Sequence, residues 1–182
     1  MSKLTFLLLL AVVSAGYGRY HDFGADRDSD ANSARNAESA SLRPVKWIVV
    51  GGDQMREVTS GRTLPIVVQA DIAKGWHIYS LTQKTGGPIP LRLDLVGAAD
   101  VIIRGLIKAP KPDRTFDKNF GIETELYSGS PRFTIPVGVA ARSLTGVRKF
   151  QVAARYQVCS DKLCLPPRTD KLDVTLRIAS RR

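Results

Sequence analysis

The stretch LRLDL, residues 91–95, puts Leu91, Leu93 and Leu95 on one side of an extended backbone and Arg92 and Asp94 on the other. Successive side chains of a strand point to opposite faces, so a period of two describes a half-buried strand. The same alternation runs through Phe133, Ile135 and Val137, through Phe150, Val152, Ala154 and Tyr156, and through Leu172, Val174, Leu176 and Ile178. PVKWIVVGG (44–52), TLPIVVQADI (63–72), GWHIYS (75–80) and VIIRGLI (101–107) read as four further strands, set off by Gly, Pro, Asp and Ser clusters. No window carries a helical period, and no internal repeat is present. An all-β chain with one wet face per sheet must hide its apolar faces against each other. The expected fold is therefore all-β, an immunoglobulin-like antiparallel β-sandwich. Pro65 and Pro136 fall inside strand readings and lack the ladder donor, so they are expected at sheet edges or bulges.

Outward from this core, the 182 residues divide into three parts. Residues 1–16 hold Lys3, an apolar run from Leu4 to Val13 and small residues at Ser14, Ala15 and Gly16, the pattern of a secretory signal peptide. The run is shorter than the roughly 20 residues a membrane-crossing helix needs, and no later run is longer, so no transmembrane span is expected in the mature chain. Residues 17–42 are poor in aliphatic side chains and read as a flexible polar leader in which His21 is solvated and idle. Residues 43–182 form one domain, with 23 Lys and Arg against 12 Asp and Glu. Its cations are scattered singly, as at Arg92, Arg104, Arg132, Arg155 and Arg177, without the clustering or aromatic interleaving of a nucleic-acid reader. A solvated basic surface and no nucleic-acid partner are expected. Between Ala109 and Ser130 the strand rhythm breaks, and this section reads as a long irregular loop whose aromatics Phe116, Phe120 and Tyr127 pin it to the sandwich. Tyr127 and Trp47 are expected to be packing aromatics.

The stretch YQVCSDKLCLPP, residues 156–167, contains both cysteines, Cys159 and Cys164. Three readings are open. Two cysteines of an exported protein normally pair, and a hairpin between them brings Cβ atoms to bonding distance. As a staple, however, a ring of about six residues is worth only about 2 kcal/mol. A metal site would need further ligands, and beyond His77 none is apparent. A redox pair makes chemical sense, since one thiolate attacks a partner disulfide and its neighbour resolves the product; Lys162 and Arg155 would favour a thiolate. Spacing alone leaves all three standing. His77 beside Trp76 reads as a packed strand residue ahead of a general base.

YQVCSDKLCLPP resembles the cysteine motif of the N-terminal periplasmic domain of the thiol:disulfide interchange protein DsbD, in which a strand ending in Tyr-Gln leads to a cysteine pair and then to Pro-Pro. GWHIYS resembles that family's Gly-aromatic-x-x-Tyr strand, and ELYSGSPRFTIPV follows in the same order, so the resemblance runs from about Val45 to Ile178. It implies an immunoglobulin-like redox domain with Cys159 and Cys164 as the redox pair, Cys164 attacking and Cys159 resolving. By the same resemblance DKNFG, Asp117 to Gly121, is a cap over the cysteines, with Phe120 the shielding ring and Asp117 an acidic neighbour. Trp76, His77 and Tyr79 would form the surroundings, with Tyr156 of the cysteine motif beside them. The implied partners are a membrane electron-donor protein and exported disulfide-containing proteins, in the periplasm or another exported location. The implied activity is protein-disulfide reduction by a monomer that needs no bound cofactor, because the electrons travel in the thiols. The competing reading is a noncatalytic immunoglobulin-like binding module with a structural disulfide and a basic protein- or polymer-binding face.

Overall fold

A computed structural model describes residues 43–52, 54–84 and 86–180. The expected signal peptide and leader, residues 1–42, lie outside the described residues. Twelve strands form three four-stranded sheets, and no helix occurs among the described residues. The first sheet has the order β1 (Val45–Val49), β3 (Thr63–Ile72), β9 (Arg132–Val139), β6 (Val101–Ile103). The second runs β2 (Arg56–Thr59), β12 (Arg168–Ala179), β10 (Gly146–Tyr156), β5 (Arg92–Val96). Every pairing is antiparallel except that of β2 with β12, which is parallel.

These two sheets make the expected immunoglobulin-like sandwich. Leu64, Ile66, Val68, Ala70 and Ile72 of β3 with Phe133, Ile135, Val137 and Val139 of β9 form one inner face. Phe150, Val152, Ala154 and Tyr156 of β10 with Leu172, Val174, Leu176 and Ile178 of β12 form the other. All belong to one buried cluster. Burying a Val, Leu, Ile or Phe side chain stabilises by about 1.5–3 kcal/mol, so this alternation supplies much of the driving force for folding. Trp47 and Tyr127 pack against Phe133, with ring centroids 5.9 and 5.2 Å away.

Pro65 and Pro136 are register partners on interior strands. Neither has an N–H to give the other, so each nitrogen points outward, and there the outer neighbour has ended. β1 turns away at Val49–Gly52, and the Pro65 carbonyl accepts instead from the Arg56 guanidinium. On the other side β6 stops at Ile103, Arg104 N donates to Pro136 O at 2.8 Å, and Gly105 takes φ +108° to turn the chain out. Lys108 then rejoins opposite Thr134. The reading of 101–107 as one strand is thereby shortened, since only Gly adopts that φ without strain.

The third sheet corrects the irregular-loop reading of residues 109–130. Its order is β11 (Val158–Ser160), β4 (Trp76–Tyr79), β8 (Ile122–Tyr127), β7 (Asp113–Asp117). The supposed loop is largely a hairpin of β7 and β8. It escaped detection because both faces of β7 are exposed up to Asp117, so no apolar alternation marks it. Phe116 pins nothing, being 61% exposed, whereas Tyr127 is buried in the core.

Candidate functional site

Residues opposite one another in a sheet project from the same face. Cys159 pairs with His77, Tyr79 with Leu126, Leu126 with Asp113, and Asp117 with Ile122. The alternation along each strand therefore gathers Cys159, His77, Tyr79, Leu126, Thr115 and Asp117 on one face of the small sheet.

Cys159 is the central residue of β11, and Ser160 to Leu163 then reverse the chain. Ser160 N donates to Leu163 O at 2.8 Å, and Ser160 Oγ accepts from the N–H groups of Lys162 and Leu163, both at 3.3 Å. Side-chain oxygens of Ser commonly hold turns in this way. Leu165 N then donates to Val158 O at 2.9 Å, which brings Cys164 opposite Cys159 with Cα atoms 4.0 Å apart, joined by a disulfide. With both sulfurs in that bond, neither is a thiolate ligand for a metal. Cys159 is fully buried, while Cys164 is half-buried.

The tip of the β7–β8 hairpin lies over this face. Gly121, at φ +67°, lets the turn close with Gly121 N donating to Asp117 O at 2.7 Å. Asp117 is 5% exposed and holds two donors: Tyr79 Oη to Oδ2 at 2.6 Å and Asn119 N to Oδ1 at 2.8 Å. Phe120 meets the Tyr79 ring edge to face, centroids 5.9 Å apart. Asn119 Nδ2 reaches across to Ser160 O at 3.1 Å, tying the tip to the cysteine turn. His77 Nε2 stands 3.4 Å from Tyr79 Oη and 4.0 Å from Asp117 Oδ2, and the His77 and Tyr79 rings make a second edge-to-face contact at 5.3 Å. A cleft of about 230 Å³ opens beside them, lined by His77, Thr115, Phe116, Asp117, Asn119 and Asp161 among others.

The electrostatics follow from burial. Desolvation pushes the His77 imidazolium pKa below its ordinary value, opposed by the charges of Asp117 and Asp161. Desolvation, and then the hydrogen bond to Asp117, push the Tyr79 hydroxyl pKa far up, so it stays a donor at any physiological pH.

Thus Cys159, Cys164, His77, Tyr79, Asp117 and Phe120 come together. Trp76 is near by register, opposite Ser160, but its side chain belongs to the other face of β4 and packs on the core. Tyr156 does not join the group. It sits on the inner face of β10 against Trp47, centroids 5.8 Å apart, with its hydroxyl donating to Asp170 at 2.7 Å. Asn119 and Asp161 were not singled out from the sequence, although both lie inside stretches that were. An amide in a turn and an acid between cysteines carry no signal until the two turns are known to meet.

Residues 49–176 match the family model described as "Thiol:disulfide interchange protein DsbD, N-terminal". The chain belongs to this family. Among solved structures it is similar to the reduced N-terminal domain of Neisseria meningitidis DsbD, at 18% identity and a TM-score of 0.46, covering 77% of this chain and 97% of that one. It is also similar to the N-terminal periplasmic domain of ScsB from Proteus mirabilis, at 18% identity and a TM-score of 0.49, covering 71% of this chain and 44% of that one. A third likeness is to the complex of the DsbD and PilB N-terminal domains from Neisseria meningitidis, at 17% identity and a TM-score of 0.45, over 73% of this chain and 86% of that one. No curated protein sequence matches significantly. Family membership and a bonded cysteine pair together mark a thiol:disulfide interchange domain.

Proposed function

We propose that this domain is an exported carrier of reducing equivalents, taking them from a membrane donor and passing them to disulfides of other exported proteins through Cys159 and Cys164. The observation that carries the reading is the unequal exposure of a bonded pair: Cys159 is fully buried and Cys164 is half-buried, beside a hairpin tip held by Tyr79, Asp117 and Asn119. A bridge of small sequence separation in such a setting adds little to stability, whereas a reachable sulfur backed by a sheltered one suits exchange.

In the first half-reaction a donor thiolate attacks Cys164 Sγ. The Cys159–Cys164 bond breaks, and Cys159 leaves as a thiolate and takes a proton. The donor's second thiol then attacks the mixed disulfide, so the donor leaves oxidised and the domain holds two thiols, two electrons richer. In the second half-reaction the Cys164 thiolate attacks a substrate disulfide, expelling one substrate thiolate. Cys159 next attacks Cys164 Sγ, which restores the bond and releases the substrate as a dithiol. No bound cofactor enters these steps. Phe120 and its turn would swing aside for each encounter, with the Tyr79–Asp117 and Asn119–Ser160 contacts restoring the closed position.

The test is a single turnover. The reduced protein is freed of reductant, mixed with an oxidised disulfide protein and quenched with an alkylating reagent at intervals. The reading predicts stoichiometric loss of two domain thiols and gain of two substrate thiols, and absence of exchange over hours contradicts it.

A further inference from the structure

The outer face of the first sheet has a charge pattern that the redox reading leaves unused. By register it carries Lys46 and Ile48 of β1, Pro65, Val67, Gln69 and Asp71 of β3, Arg132, Thr134 and Pro136 of β9, and Ile102 of β6. Arg104 lies over Gly138, where an added Cβ would come within 2.9 Å of its Nε, and Lys108 stands opposite Thr134. By register this face thus carries four cations, Lys46, Arg104, Lys108 and Arg132, and one carboxylate, Asp71, whose Oδ1 already accepts from Gln69 at 2.7 Å. The ion pairs among the described residues fall elsewhere, at His77, Arg114, Arg148 and Arg168.

On the excursion between Gly105 and Lys108 that leaves this face, Leu106 is 91% exposed, and Ile102 of β6 is 49% exposed. Folding gains nothing by holding a leucine in water. Flanked in sequence by Arg104 and Lys108, it offers the two groups a bilayer surface takes up, cations for the phosphates and an aliphatic side chain for the acyl boundary. An acidic protein would need a matching pocket for Leu106, which a lipid surface supplies anywhere.

We propose that this face is a peripheral docking surface for an anionic lipid bilayer, with Lys46, Arg104, Lys108 and Arg132 at the headgroup phosphates and Leu106 inserted between them. The proposal is independent of the redox reading, and the state of Cys159 and Cys164 does not enter it.

The test is co-sedimentation of the full chain with vesicles of phosphatidylcholine alone and of equal parts phosphatidylcholine and phosphatidylglycerol. Binding is expected to the anionic vesicles and to weaken as salt rises. A cation at such a surface contributes about 1 kcal/mol, or about fivefold, so K46Q/K108Q should lower partitioning about 25-fold. L106S should lower it about tenfold, and neither variant touches the core. Equal binding to both vesicle types, or variants that bind like the parent, would assign attachment to another part of the chain and overturn the proposal. Binding of soluble polyglutamate that L106S leaves unchanged, with no vesicle binding, would make the occupant an acidic protein and also overturn it.

Discussion

Tyr79 Oη donates a 2.6 Å hydrogen bond to Asp117 Oδ2, and this buried contact fastens the tip of the β7–β8 hairpin to the strand whose neighbour carries Cys159. The tyrosine comes from the short strand β4, and the aspartate ends the otherwise exposed strand β7, so the contact ties the hairpin tip to the strand beside Cys159 within one sheet. Tyr79→Phe keeps the ring that Phe120 packs against and deletes only the donor. A hydrogen bond to a charged group contributes about 1.5–3 kcal/mol, so urea unfolding should show a loss in that range. Reduction of the cystine by dithiothreitol, followed by thiol trapping, should be faster than in the parent. Unchanged reduction kinetics would detach this contact from access to the disulfide.

Phe120→Ala tests whether the ring shields the disulfide, as the carrier reading proposes, apart from its effect on stability. The ring is half-buried and its contact with Tyr79 is of a kind worth about 0.5–1.5 kcal/mol, well below the 3–5 kcal/mol lost when a core aromatic is truncated. Chemical denaturation should therefore register a modest change of about 0.5–1.5 kcal/mol, while the dithiothreitol reduction rate rises more than in Tyr79→Phe.

The two cysteines should behave differently when left alone. In Cys159→Ser the half-buried Cys164 keeps its attack on a substrate disulfide but has no resolving partner, so a mixed disulfide accumulates on a non-reducing gel. In Cys164→Ser the remaining thiol is the fully buried Cys159, and little adduct should form. Reversal of the two results would move the attacking role to Cys159.

His77 should give the domain a pH-dependent stability. Its pKa in the fold is depressed, chiefly by burial, so the unfolded chain binds the proton more readily. Its stabilising contribution is present above the unfolded value near pH 6.5 and is lost as pH falls through the depressed folded value. Urea midpoints measured downward from pH 7 should decline, and His77→Asn should flatten that decline. An identical slope in the variant would assign the acid limb to carboxylates.

The sandwich was legible in the sequence because its strands bury one face each. The apolar period through Leu172 to Ile178 or Phe150 to Tyr156 is that burial written out. β7 was not legible, since a hairpin arm wet on both sides leaves no such trace, and β2 and β11 are too short to show a period. At the site, the cysteine turn and the Asp117–Gly121 tip were found by resemblance to the family. Tyr156 was misplaced by nearness to that motif in sequence, although its own alternation with Phe150, Val152 and Ala154 already put it in the core. The Asn119–Ser160 contact joins residues 41 positions apart, and nothing local in the chain announces it.

The reduction potential of the Cys159–Cys164 bond tests most directly whether it is made to be exchanged. Thiol trapping of the protein equilibrated across glutathione and dithiothreitol redox series should give a value above about −300 mV, in the range of exchange proteins. A value below that would mark a structural disulfide and contradict the carrier reading.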